Sequence, residues 1–235
     1  MVVGVRAVLF DLFNTLIPGG SRVERDGVSR RMAEVLAVDP DDLAAMIRDT
    51  FDDRTRGRLG DLRGTVRWLA SRLGATPSDA AVKEAVELRL EMTRALHRDT
   101  WALPALRELR VLGIARGLVS DCSAETPEIW ADSPLAPFFE AVSFSCETGF
   151  RKPAPHAYLA ATRQLGLRPD ECLFVGDGGS FELTGAQALG MHTVRLVTQG
   201  ANAGESIDED TEWSGPHIAD LRSLLHLPLF GRDRA

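Results

Sequence analysis

The feature that most constrains this chain is a short apolar run, Ala7-Val8-Leu9-Phe10, that ends on a carboxylate, Asp11, and continues Leu12-Phe13-Asn14-Thr15. A run of that length with so little polarity has the signature of a buried strand. Further runs of the same kind occur at 115–120, 141–145, 172–176 and 192–197. Helical patterns separate them at 103–112, 155–165 and 180–189, the last closed by Gly190. Strands alternating with helices predict an α/β fold built on a doubly wound parallel sheet. In such sheets ligands bind outside the carboxyl ends of the strands, which is where Asp11 falls. An isolated Asp after a strand usually caps a turn, so Asp11 gains meaning only from what accompanies it.

About 109 positions separate Asp11 from Ser120, far more than one crossover helix requires. Val28, Met32 and Leu36 form one helical stripe, and Leu43, Ile47 and Phe51 a second. Leu62, Val66, Leu69 and Leu73 form a third, and Val82, Val86 and Leu90 begin a fourth. Breaks fall at Asp39-Pro40, from Gly57 to Asp61 and from Gly74 to Ser78. Four antiparallel helices predict a small bundle inserted over residues 17–98, with 1–16 and 99–235 forming the core. The polar tail from Gln199 to Gly215 reads as a loop, and Ile218 to Leu227 as a final helix on the core.

The hydrophobic share of 44% and charged share of 26% are those of an ordinary globular protein. A net charge of −7 argues against nucleic acid or an anionic membrane as the main partner. A small phosphorylated substrate stays compatible, since one lysine and converging amides outweigh a diffuse negative field. Cys122, Cys146 and Cys172 lack metal-ligand spacing and read as reduced, buried thiols. With no signal peptide and no membrane-length apolar run, the expected location is the cytoplasm.

Three later segments place reactive groups at strand ends or loops. Gly117-Leu118-Val119-Ser120-Asp121 ends on a hydroxyl, and Gly149-Phe150-Arg151-Lys152-Pro153 offers a loop lysine. Cys172 to Gly176 leads into Asp177-Gly178-Gly179-Ser180-Phe181-Glu182, an acidic loop that opens a helix. The ordered set Asp11, Ser120, Lys152 and Gly176-Asp177 with a second acid resembles the haloacid dehalogenase superfamily. The likeness spans residues 5 to 197, and the 17–98 insertion resembles the superfamily's helical cap.

The resemblance implies a Rossmann-like core and a Mg²⁺-dependent phosphohydrolase working through an aspartyl-phosphate on Asp11. Ser120 and Lys152 would then hold the phosphate, with backbone N–H groups of Leu12, Phe13 and Asp121. Asp11, Asp177 and the carbonyl of Phe13 would hold Mg²⁺, and Glu182 would hold a metal-bound water or Lys152 from behind. Elementary chemistry agrees: a phosphate dianion repels a nucleophilic carboxylate, and fixed cations offset that repulsion. Each residue also has a plain alternative. Ser120 and Asp121 suit a helix cap before Glu125, Lys152 a solvated loop, and Glu182 the first turn of a helix. Tyr158 suits the core, Trp68 and Trp101 likewise, and Asp52 to Arg58 a self-paired surface.

One position departs from the phosphatase pattern. Superfamily phosphatases usually carry a second Asp two residues after the nucleophile, to protonate the leaving group; here that residue is Phe13. Either the leaving group needs no proton, or a cap residue or the substrate supplies it, or the protein is a weak, phosphate-binding relative. Haloacid dehalogenases carry an aromatic residue there and release halide without a proton, which makes a 2-haloacid dehalogenase the competing enzyme. The acidic Asp177 favours the phosphatase, because those dehalogenases generally have uncharged residues in that loop.

Overall fold

Ala7–Phe10 forms the central strand β1, with all four residues buried. Val8 and Phe10 pack on one side with Leu106, Leu109, Leu221 and Leu224. Ala7 and Leu9 pack on the other with Tyr158, Ala161, Leu183 and Ala186. That is the period-two alternation of a strand covered on both faces. Five more strands complete the sheet: β2 (Ala115–Ser120), β3 (Ala141–Phe144), β4 (Cys172–Gly176), β5 (His192–Leu196) and β6 (His217–Ile218). This is a computed structural model, and it describes residues 4–197, 210 and 213–230.

Every pairing is parallel, in the order β3-β2-β1-β4-β5-β6. The chain therefore runs outward from β1 to β3, then returns to place β4 on the other side of β1. The order reverses between β1 and β4, and a crevice opens at the carboxyl ends there. Phe10 is level with Leu118 of β2 and Val175 of β4, so Asp11, Ser120 and Asp177 emerge at one edge.

The segment between β1 and β2 is helical: α1 (Arg22–Leu36), α2 (Pro40–Asp49), α3 (Phe51–Thr55), α4 (Leu62–Arg72), α5 (Asp79–Arg98) and α6 (Leu103–Val111). Ser21, Asp39, Asp61 and Ser78 each accept a backbone N–H at a helix start, so the breaks in the sequence are caps. A cap of this kind contributes about 1 kcal/mol. Met32, Leu36, Leu43, Leu62, Val66, Leu69, Val82, Val86 and Leu90 close into an apolar cluster of their own, joined by Ile129. The remaining helices are α7 (Glu125–Trp130), α8 (Ser145–Thr148), α9 (Pro155–Leu165) and α10 (Glu182–Ala188).

Several expectations need correction. The stripe through Leu43, Ile47 and Phe51 is not one helix: it breaks at Thr50, whose hydroxyl donates to the Met46 carbonyl at 2.6 Å. Such back-bonding bends a helix. Residues 218–227 form no α-helix but the end of β6 and a 3₁₀ helix, Leu221–His226, capped by Asp220. β3 ends at Phe144, because the Ser145 hydroxyl is drawn to the backbone of Cys122. The helix expected from 180 begins at Glu182, since Ser180 and Phe181 both adopt the left-handed conformation. Cys146 is only half-buried, unlike Cys122 and Cys172. Most of the tail expected to be a loop, 199–215, lies outside the described residues.

Candidate active site

Asp11 follows β1 directly, and its N–H donates to the Val175 carbonyl at 2.9 Å. The ladder between β1 and β4 thus runs one residue beyond the strand and fixes the Asp11 backbone. Asp177 leaves β4 one residue further on, and Glu182 returns at the start of α10. One carboxylate oxygen from each of Asp11, Asp177 and Glu182 lies within 4.8 Å of the others. Lys152 ion-pairs with Asp11 and donates to Glu182 Oε2 at 2.6 Å. Lys152 and Glu182 are buried, with no bulk water to stabilise either charge.

The electrostatics follow from that crowding. Burial pushes the Asp11 carboxyl up to about 6; Lys152 pulls against the rise and Asp177 adds to it. Burial likewise raises Glu182 well above the usual carboxylate range. Burial works against the Lys152 charge, yet Asp11, Glu182 and Asp121 hold it well above the ordinary lysine value. Two of the three carboxylates share one ammonium. The all-oxygen donors of the three, gathered this closely, suit a hard divalent cation.

Ser120 ends β2 with its hydroxyl buried and, among the described residues, without a hydrogen-bond partner. The hydroxyl also meets the buried Cys122 thiol and acts against the rise that burial imposes on it. It does not cap α7, whose N-cap is Ala124. Asp121 Oδ1 accepts the Lys152 N–H at 3.0 Å, tying the second loop to the third. The Leu12 N–H hydrogen-bonds the Asp11 carboxylate itself and lowers its pKa. Phe13 makes an isolated bridge with Ile17 and packs on the core cluster.

Some contributing residues carried no signal in the sequence. Asn14, at φ 60°, donates to Asp177 Oδ2 at 3.3 Å and accepts the Gly19 N–H at 3.0 Å. Gly178 takes φ 97°, so its role is to turn the fourth loop. Close approach matters instead at Gly176, where a Cβ would collide with the Glu182 carboxylate. Tyr158 is fully buried, and its hydroxyl donates to the Glu182 carbonyl at 2.8 Å. It is a core aromatic with a positioning contact. Trp101 donates to the Thr15 carbonyl at 2.9 Å, and Trp68 packs among the inserted helices.

The segment Asp52 to Arg58 is only partly the self-paired surface its alternating charges suggest. Arg56 and Arg58 pair with Asp52 and Asp53. Arg54 instead is buried and donates to Ser123 Oγ at 2.8 Å, and Asp52 reaches Arg151 at 2.9 Å. Glu125 is buried against Arg89 and Arg54; their charges outweigh its burial and hold it down at about 2.

Comparison with known proteins agrees with this geometry. Residues 5–190 match the family described as haloacid dehalogenase-like hydrolase. The chain is 31% identical over 202 residues to the glyceraldehyde 3-phosphate phosphatase of Methanopyrus kandleri, covering 82% of this chain and 84% of that one. A HAD phosphatase from Thermococcus onnurineus shares the fold with a TM-score of 0.65 at 21% identity, over 98% of this chain and 100% of that one. A 2-haloacid dehalogenase from Pseudomonas syringae pv. tomato does so with a TM-score of 0.68 at 21% identity, over 94% and 97%. Among the described residues no helix is long and apolar enough to cross a membrane. A family match that takes in β1, β2 and β4 with the loops bearing Asp11, Ser120, Lys152 and Asp177 identifies the chain: it is a haloacid dehalogenase-like hydrolase.

Proposed function

We propose that the protein is a Mg²⁺-dependent phosphohydrolase acting on small phosphorylated metabolites through an aspartyl-phosphate on Asp11. The observation that carries this reading is the convergence of carboxylate oxygens from Asp11, Asp177 and Glu182 within 4.8 Å of one another, with Lys152 on two of them, an oxygen-donor set suited to a divalent cation beside a fixed charge for a phosphate. The name of the Methanopyrus relative points to the same substrate class.

In this reading Asp11 attacks phosphorus, the ester P–O bond breaks, and an aspartyl-phosphate forms. Water then attacks phosphorus, the bond to Asp11 breaks, and inorganic phosphate leaves. Lys152 offsets the charge of the phosphate oxygens, and the unpartnered Ser120 hydroxyl donates to one of them with the N–H groups of Leu12, Phe13 and Asp121. Asp11, Asp177 and the Phe13 carbonyl would hold Mg²⁺, with Glu182 behind them. When bound, the ion would supply charge neutralisation for the phosphoryl group. Residues 17–98 act as a cap that selects the substrate, with the cleft between it and the core leading to Asp11.

Phe13 favours a second reading, a 2-haloacid dehalogenase forming an alkyl ester on Asp11. Asp177 weighs against it, because a second carboxylate oxygen beside the nucleophile builds a metal-donor set that halide displacement does not use. A third reading, phosphate binding without turnover, also rests on Phe13. A screen of phosphorylated metabolites and 2-haloacids, each with Mg²⁺ and with chelator, separates the three. Mg²⁺-dependent release of phosphate, lost in Asp177→Ala, is the expected result. Turnover of a 2-haloacid in excess chelator would sink the phosphatase reading, and phosphate binding with no turnover would favour the third.

A further inference from the structure

We propose that Arg151 is a positioning residue for the hydrolysis, linking the seating of the inserted helices over the site to the alignment of Asp121 and Lys152. The inference rests on the phosphohydrolase reading. Arg151 directly precedes Lys152, and its side chain is only 11% exposed. Its guanidinium meets three separate parts of the chain. Nη1 pairs with Asp52 of α3 at 2.9 Å, and the guanidinium carbon lies 4.7 Å over the Phe51 ring. Nε lies 3.4 Å from Asp121 Oδ2, within ion-pair range. Nη2 lies 3.5 Å from Ser180 Oγ, at the outer limit of a hydrogen bond, in the loop that follows Asp177.

These contacts form a chain of dependence. Asp52 is held in place from its own side by Arg56, with both carboxylate oxygens at 2.9 Å from Nε. It therefore presents a fixed anion to Arg151. Arg151 sets one oxygen of Asp121, and the other oxygen accepts the Lys152 N–H at 3.0 Å. Asp121 is also the residue after Ser120. A shift of α3 thus reaches Lys152 and the Ser120 loop through a single planar fork. Lysine has one donor centre where arginine has three, so it cannot hold these partners together. Among the described residues Nε has no hydrogen-bond partner of good geometry, so the hold on Asp121 is mainly electrostatic and depends on where Asp52 and Phe51 keep the guanidinium.

Because Arg151 acts through Lys152 and Asp121, its loss should fall on the transition state, where the Lys152 charge is most needed. The test uses p-nitrophenyl phosphate with Mg²⁺ on wild type, Arg151→Met, Arg151→Lys, Asp52→Asn and the double variant Asp52→Asn/Arg151→Met. Rates are corrected for the folded fraction of each variant, read from its urea transition. Arg151→Met is expected to lose about ten- to hundredfold in kcat, the scale of a lost supporting contact. KM should change by less than about threefold, because no ground-state phosphate contact is removed. Arg151→Lys should recover part of the loss, and the double variant should be no worse than Arg151→Met alone. Multiplicative losses in the double variant, or a loss confined to KM, would overturn the inference while leaving the phosphohydrolase reading intact. If Arg151→Met fails to fold, the half-exposed Asp52→Asn decides alone: it should lose about two- to fivefold in kcat, the range of a single partly exposed ion pair, and an unchanged kcat overturns the inference. A wild-type protein that hydrolyses no phosphate ester removes the function and this inference together.

Discussion

Lys152 donates to Glu182 Oε2 at 2.6 Å while it also holds Asp11, so one buried ammonium serves two buried carboxylates. With an Asp177 oxygen close by, three carboxylates offer oxygen donors within 4.8 Å of one another. Changing one of those donors should therefore show first in metal affinity.

Glu182→Gln keeps the shape of the side chain and removes its charge. The Mg²⁺ concentration for half-maximal activity should rise about ten- to hundredfold, the usual cost of a lost outer-shell partner. The measurement is initial rate against Mg²⁺ for wild type and variant. An unchanged half-activation point would reduce Glu182 to a packing role beside Gly176.

The orphaned Ser120 hydroxyl gives a prediction that separates function from stability. Ser120→Ala removes only the contact with the Cys122 thiol, so the urea midpoint should fall little. Its kcat/KM should fall about tenfold, corresponding to about 1.4 kcal/mol for one hydrogen bond to a charged phosphate oxygen. Parallel denaturation and kinetics check both halves, and a fall in stability with no change in kinetics would assign Ser120 to the fold alone.

Phe13 predicts a dependence on the leaving group. Aryl and acyl phosphates should turn over well and alkyl phosphates poorly, since Phe13 has no proton to donate. Phe13→Asp should help alkyl phosphates more than activated ones, by up to about a hundredfold if a general acid is restored. The measurement is kcat/KM across a leaving-group series in both proteins. A flat wild-type series with chemistry rate-limiting would mean that another group supplies the proton.

His97 is 1% exposed, bonded through Nδ1 to Ser133 Oγ at 2.8 Å, and burial lowers its pKa from 6.5 to about 4. Above pH 6.5 it is neutral in both folded and unfolded chains and contributes no pH dependence. As pH falls from 6.5 towards 4 the unfolded chain takes up the proton first, so stability falls, by up to about 3 kcal/mol in total. The raised pKa of Asp11 acts with the opposite sign below pH 6, so the comparison must be with a variant rather than with a single curve. His97→Gln should be less sensitive than wild type between pH 6.5 and 4.5, read from urea midpoints. Parallel curves for the two proteins would show that His97 is protonated in the fold.

Five of the six strands and most helices were legible because their signals are local; β6 fell where a helix was expected. β2 and α9 fall where the sequence placed them, because apolar runs and helical stripes encode burial directly. Helix starts at Ser21, Asp39, Asp61 and Ser78 are local chemistry as well. The errors came where a neighbour distant in sequence decides the conformation. Ser145 leaves β3 for the backbone of Cys122, 23 residues away. Among the residues around the site, Asn14 and Arg151 went unread for the same reason. Nothing near Asn14 in sequence announces Asp177, and nothing near Arg151 announces Asp52.

The sequence by itself determined the architecture and the inventory of reactive groups: a parallel sheet, an inserted helical segment, and Asp11, Ser120, Lys152, Asp177 and Glu182 at strand ends and loops. Periodicity and apolar runs suffice for the sheet and helices, since they report which faces must leave water; the roles of the groups came from the resemblance to the haloacid dehalogenase superfamily. Only the tertiary structure decided which charges share a space. The Lys152 side chain chose Asp11 and Glu182, the Ser120 hydroxyl was left with the Cys122 thiol beside it, and Arg151 was drawn to Asp52. Burial sets the strength of those relationships, because removing water turns a weak attraction between distant residues into one that fixes pKa values and side-chain positions. Burial of that kind exists only once β1, β2 and β4 lie side by side.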